Sequence, residues 1–178
     1  MRRKTFLQLL PSALSYMLMG NLLAAIMTFS MAIFIAHQFA VVLAAIFAIA
    51  IYIMLISVPA YKNGTEERML LANKRVEAVP MKRWLYIGMI IFVITIIPTI
   101  LFLTRVIDTG LFRLTSGAVY PLSLLISPVT EEGIRPMFSF TPYITGCFYL
   151  ISIPTCYLAF KFGLNDTFNA DKIMYKNK

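Results

Sequence analysis

The residue types that usually carry chemistry are scarce in this chain. One histidine, His37, and eight acidic residues are spread over 178 positions. A hydrolytic zinc centre takes about three protein ligands plus a water, and no such set is spelled out here. The two cysteines, Cys147 and Cys156, share one apolar run. On a helix they would lie about 13 Å apart in rise, too far to bridge. They read as two buried structural thiols and report no redox compartment. No GxxxxGK[ST], HExxH, GxSxG or CxxC pattern occurs, which removes the nucleotide-loop, zincin, hydrolase-elbow and thioredoxin readings. Charge is thin as well, at 13% of residues, against about a quarter in a soluble domain. The long apolar runs hold no Asp, Glu, Lys or Arg away from their ends. Ion-coupled transporters place such groups near the bilayer midplane, so coupled transport is disfavoured.

What the chain has is apolar surface: 60% hydrophobic residues and a mean hydropathy of +0.79. The runs are too long for a soluble core, and at roughly 20 residues per crossing four spans fit. The expected spans are 14–36, 39–59, 84–104 and 143–162 of a single integral membrane domain, 1–178. Arg2, Arg3 and Lys4 precede the first apolar run as in a secretory signal, but the run is too long for a cleaved one, so a retained anchor is expected. Pro11 is expected to mark the interface where it begins.

Small residues recur every four positions in the first span (Gly20, Ala24, Thr28, Ala32, Ala36) and in the second (Ala40, Ala44, Ala48). That spacing keeps them on one helix face and lets two backbones approach closely. Asn21 should face protein, because an unpaired amide in hydrocarbon costs a few kcal/mol. His37 reads as a polar cap at the membrane surface.

The second span is expected to stop at Pro59 and to lead into a charged loop, 60–83. Within it Asn63-Gly64 reads as a turn and Thr65 as the cap of an amphipathic helix over 65–79, ended by Pro80. Such a helix lies on the membrane or docks a partner. Trp84 and Tyr86 read as interfacial anchors of the third span. Pro98 should kink that span, with Thr95 helping to cover the freed backbone groups. Residues 105–142 form an outer loop whose apolar patch, 118–127, is too short to cross and lies at the interface or re-enters. Ser127-Pro128 followed by Glu131 and Glu132 predicts a short helix start. Pro154 should kink the fourth span, and Lys161 should snorkel at its end.

Three Lys and Arg residues precede the first span, six lie in 60–83 and four follow from Lys161 onward, thirteen of the sixteen in all. The positive-inside rule therefore puts both termini and the 60–83 loop in the cytoplasm. The basic residues flank spans instead of covering one soluble face, so they fit anionic lipid head groups better than nucleic acid.

Glu131-Glu132-Gly133-Ile134-Arg135 resembles the EExxxR signature of intramembrane CAAX-type metalloproteases, but it is one residue short. The histidine patterns of that family are also missing: Phe34-x-x-His37 is one short and no second histidine exists. No catalytic, cofactor-binding or metal residue is therefore assigned. A second pattern comprises Tyr61-x-x-Gly64-x-x-Glu67-Arg68, Gly88, Pro98, Tyr157, Phe162-Gly163 and Ile173-Met174-Tyr175-Lys176. It resembles uncharacterised four-helix integral membrane proteins of Gram-positive bacteria. Those proteins often carry further Gly and Asp in the loop, where this chain has Ala72-Asn73-Lys74. The resemblance implies a four-span layout in a bacterial cell membrane and no activity.

The expectation is an all-α polytopic membrane protein, four transmembrane helices as two hairpins. It would be a non-enzymatic accessory or partner-binding subunit, associating with the lipid bilayer and with a membrane-protein partner or its own copies. The alternative is a small oligomeric transporter or channel for an apolar or lipid-like solute.

Overall fold

Each long apolar run folds as a helix, because in lipid a backbone must satisfy its own hydrogen bonds. The computed structural model describes residues 3–30, 38–76, 78–126 and 141–165. In chain order the elements are α1 (Phe6–Ser30), α2 (Gln38–Ala72), α3 (Lys82–Leu103), α4 (Thr109–Thr115), α5 (Tyr120–Ile126), α6 (Thr141–Cys147), a 3₁₀ turn (Phe148–Ile151) and α7 (Ser152–Asn165). No strand occurs among the described residues. The helices α1, α2, α3 and the composite of α6, the 3₁₀ turn and α7 are long and apolar enough to cross a membrane. Their outward faces are apolar too: Leu18, Phe47, Met54 and Val93 are all more than half exposed. Lipid is the solvent that suits such a surface. Among the described residues the chain is all-α, with four helices long and apolar enough to span a membrane.

α1 starts two turns earlier than the first apolar run suggests. Thr5 precedes the helix, and Gln8 reaches back with Oε1 to accept from the Thr5 N–H at 3.0 Å, the reciprocal half of a capping box. Pro11 consequently sits inside the helix instead of at its start. The small-residue stripe faces inward as expected: Gly20, Ala24, Thr28, Ala44 and Ala48 are buried. α1 lies along α2, with an added Cβ at Gly20 only 3.3 Å from the Tyr52 ring.

The largest departure is in α2. The helix does not stop at Pro59; it runs unbroken to Ala72, about 52 Å at 1.5 Å per residue. Asn63-Gly64 is no turn, and Thr65 is no cap: its Oγ1 donates to the carbonyls of Tyr61 and Lys62. Residues 65–72 belong to α2 instead of to a separate helix. The physical reason is a buried stripe at helical spacing that continues past the proline, through Tyr52, Ile56, Ala60, Asn63, Glu67 and Leu70. Packing along that stripe outweighs the one acceptor, the Leu55 carbonyl, that Pro59 leaves without a donor.

α7 packs between α2 and α3. Gly64 and Gly163 meet at the α2–α7 crossing: a Cβ on Gly64 would strike the Phe160 carbonyl, and one on Gly163 the Tyr61 carbonyl. Pro154 falls in the first turn of α7, where a missing N–H costs little, and the four residues before α7 tighten into the 3₁₀ turn. α3 runs through Pro98 without a break. Thr95 does not cover the carbonyl that Pro98 frees; its hydroxyl donates to Ile91 and Phe92.

The 105–126 stretch is not a simple outer loop. Asp108 caps α4 by accepting from the Leu111 N–H at 2.8 Å, and α5 packs on α2. The link between the two helices is buried against α1, where a Cβ on Gly117 would hit Ala25 Cβ at 2.7 Å. His37, Glu131, Glu132 and Arg135 lie outside the described residues, as do Ala32, Ala36 and Ser127-Pro128.

Candidate functional site

Two clusters of polar side chains tie the helices together. The first is at the end of the bundle where α1 begins and α2 finishes. Glu67 lies on the buried stripe of α2 and is 1% exposed. Its Oε1 accepts from Arg3 Nε at 3.1 Å and from Arg83 Nη1 at 3.4 Å. Arg3 also donates to the Ala78 carbonyl at 2.8 Å, and Arg83 to the Lys4 carbonyl at 3.0 Å. Lys4 pairs with Glu66 at 2.8 Å. Three segments distant in sequence, at residues 3–4, 66–67 and 78–83, are thereby held on one carboxylate pair. Glu67 Oε2 has no partner among the described residues.

Trp84 belongs to this cluster. It is fully buried, donates from Nε1 to Asn63 Oδ1 at 2.9 Å, and stacks on Phe160. It therefore braces helices instead of anchoring to lipid. Tyr86, half exposed, keeps the outward position expected of an anchor.

The second cluster lies inside the bundle and is uncharged. Asn21 is buried, as its cost in hydrocarbon requires. Its Oδ1 accepts from the Tyr149 hydroxyl at 2.8 Å and from the Ala118 N–H at 3.4 Å. The Tyr149 ring meets Tyr52 edge-on at 5.4 Å, and the Tyr52 hydroxyl pairs with Ser152 Oγ at 2.9 Å. One run of contacts thus links α1, α2, the α4–α5 link and the fourth span. Sequence reasoning found Asn21 but missed Tyr52, Tyr149 and Ser152, since each sits in a run where a lone hydroxyl has no obvious partner. Glu67 was recoverable: it falls on the helical period that Tyr52 and Ile56 set.

Among the described residues no three His, Cys, Asp or Glu come together as a metal requires. Cys147 and Cys156 are both free thiols, Cys156 buried as expected and Cys147 exposed. What the first cluster does is mechanical. It ties the last turns of α2, which lead into Asn73, Lys74 and Arg75, to residues 3–4 and 83, with Met69 46% exposed on the side of the helix. A groove of about 560 Å3 runs along the outside of the bundle between α2 and α7, past Ile53, Tyr61, Leu158 and Phe162. Compared with known proteins, the chain matches no protein-family model, no curated protein and no solved structure.

Proposed function

We propose that this chain is a non-enzymatic, partner-binding subunit of a cell membrane. Its four spans would be arranged as two hairpins, with both termini in the cytoplasm. The observation that carries the reading is the length and bracing of α2. Its 35 residues exceed the roughly 20 that a crossing needs, and the excess is held by Arg3, Lys4 and Arg83 instead of being left as a loop. A braced helix end with an exposed Met69 and a basic tip suits the docking of an acidic face on another protein. Basic residues concentrate at this end, which supports the cytoplasmic assignment.

The test is affinity purification from native membranes in mild detergent, with wild type beside Lys74→Glu/Arg75→Glu. A stoichiometric foreign protein that is lost by about tenfold or more in the variant is the expected result. Unchanged association sinks the docking role of α2.

The groove between α2 and α7 favours a second reading, an oligomeric carrier or channel for an apolar solute. That reading requires a stable homo-oligomer whose reconstitution gives solute flux. A strict monomer excludes it.

A further inference from the structure

Between the first turns of α1 and the Pro59 region of α2 lies a partly enclosed cavity of about 130 Å3. Half of its wall is polar, with Lys4, Gln8, Ser12, Lys62 and Asn63, and the rest includes Leu9, Tyr16 and Val58. Both charged lining residues are cations, and no acid lines the cavity. Lys4 is matched by Glu66, so Lys62 adds a positive charge with no counterpart among the described residues. Gln8 Oε1 is taken by the Thr5 N–H, which leaves the amide nitrogen, a donor, for an occupant. Two cations and a free amide donor, with no acid, therefore face a space several times the roughly 30 Å3 share of one water. That is the chemistry of an anion site.

The apolar part of the wall and the place of the cavity, beside the first turns of α1 where basic residues flank the apolar runs, indicate what carries the anion. A soluble ion uses only the polar half. A phosphodiester continued by a glyceride uses both, and anionic head groups are what basic residues flanking apolar spans attract. We propose that the cavity binds the phosphate group of an anionic phospholipid, with Lys62 and Lys4 on the phosphate and Leu9 and Val58 against the start of the chains. Charge-assisted hydrogen bonds to phosphate are about twice as strong as neutral ones. The inference rests on the membrane-spanning fold and is independent of the docking role of α2.

The chain contains its own reporter. Its one tryptophan, Trp84, is bonded to Asn63, which also lines the cavity. The experiment titrates the full-length protein in mild detergent with short-chain phosphatidylglycerol, short-chain phosphatidylcholine and inorganic phosphate, following Trp84 emission. Phosphatidylglycerol should saturate at least about tenfold more tightly than phosphatidylcholine, which carries the same phosphodiester charge but brings a choline cation up to Lys4 and Lys62. Lys62→Gln should weaken it about tenfold and Lys62→Arg should restore it. Ser12→Leu, which fills the cavity without altering charge, should weaken it too. Lys161→Gln, an exposed cation on α7 away from the cavity, should change nothing. Equal affinity for the two lipids, or wild-type binding by Lys62→Gln, overturns the proposal. Saturation by inorganic phosphate as tight as by phosphatidylglycerol assigns the anion to the aqueous phase and overturns the lipid.

Discussion

The end of the bundle around Glu67 and the interior around Asn21 do the same job with different chemistry. Each joins segments far apart in sequence through one buried acceptor oxygen that takes two donors. At the Glu67 end the donors are Arg3 and Arg83, partly open to solvent. Around Asn21 they are a phenol and a backbone N–H, and both are buried. Ion pairs near water gain little and are screened by salt. Neutral hydrogen bonds in an apolar interior escape screening, but each one lost leaves a buried polar group behind. The chain uses charge where its ends meet water and hydroxyls or amides where its spans meet each other.

Backbone contact underlies both clusters, so the largest expected effects come from filling it. Gly163→Leu drives a side chain into the Tyr61 carbonyl and separates α7 from the arm of α2. Gly117→Leu does the same to the α4–α5 link against Asn21 and Ala25. Each should cost about 3 kcal/mol or more, at the upper end of overpacking, read as thermal unfolding in detergent. If Gly163→Leu alone is tolerated, the arm of α2 does not depend on α7 and the comparison changes.

Next in size are the two acceptors. Asn21→Leu strands the Tyr149 hydroxyl and the Ala118 N–H, at about 1 to 3 kcal/mol. Tyr149→Phe removes one of those donors cleanly and should cost about 0.6 kcal/mol, the average measured for hydrogen bonds between membrane helices. Glu67→Gln should cost about 1 to 2 kcal/mol at low salt, the discount reflecting the partial exposure of Arg3 and Arg83. Salt separates the cases. Between 0.1 and 1 M the screening length falls from about 10 to 3 Å, so the Glu67→Gln deficit should shrink while the Asn21→Leu deficit holds. Equal salt response in both would remove the distinction.

The same contrast explains what could be read in advance. The four long helices were legible because an apolar run of span length has few other structures open to it. The inward stripe of Gly20, Ala24 and Ala48 was legible from spacing alone. The continuation of α2 was not, because Pro59, Asn63-Gly64 and Thr65 are all local signals for a break. Together they are overruled by distant contacts: Gly64 accommodates the α7 backbone, Asn63 accepts from Trp84, and Glu67 collects Arg3 and Arg83. Tertiary partners do not show in a local window, so local signals failed most where long-range contacts were densest.

The smallest effect tests whether the two ends of the bundle are finished alike. α2 ends with Lys74 at φ 53°, and α3 ends with Arg105 at φ 58°. In both, the next N–H reaches back to a carbonyl five residues earlier, Arg75 to Leu70 at 3.0 Å and Val106 to Leu101 at 2.9 Å. This is the Schellman closure, whose left-handed position glycine usually fills. A non-glycine residue there pays about 1 kcal/mol or more, while a cation at a helix C-terminus regains about 0.3 to 1 kcal/mol from the dipole. Lys74→Gly and Arg105→Gly should therefore each stabilise by only about 0.5 kcal/mol, a shift measurable as a small rise in melting temperature. A loss at Lys74 alone would mean that its charge holds something at that end beyond the helix dipole, which is what a docking arm requires. A loss at both would mean that the dipole term outweighs the backbone strain, and that the two ends are built to one rule.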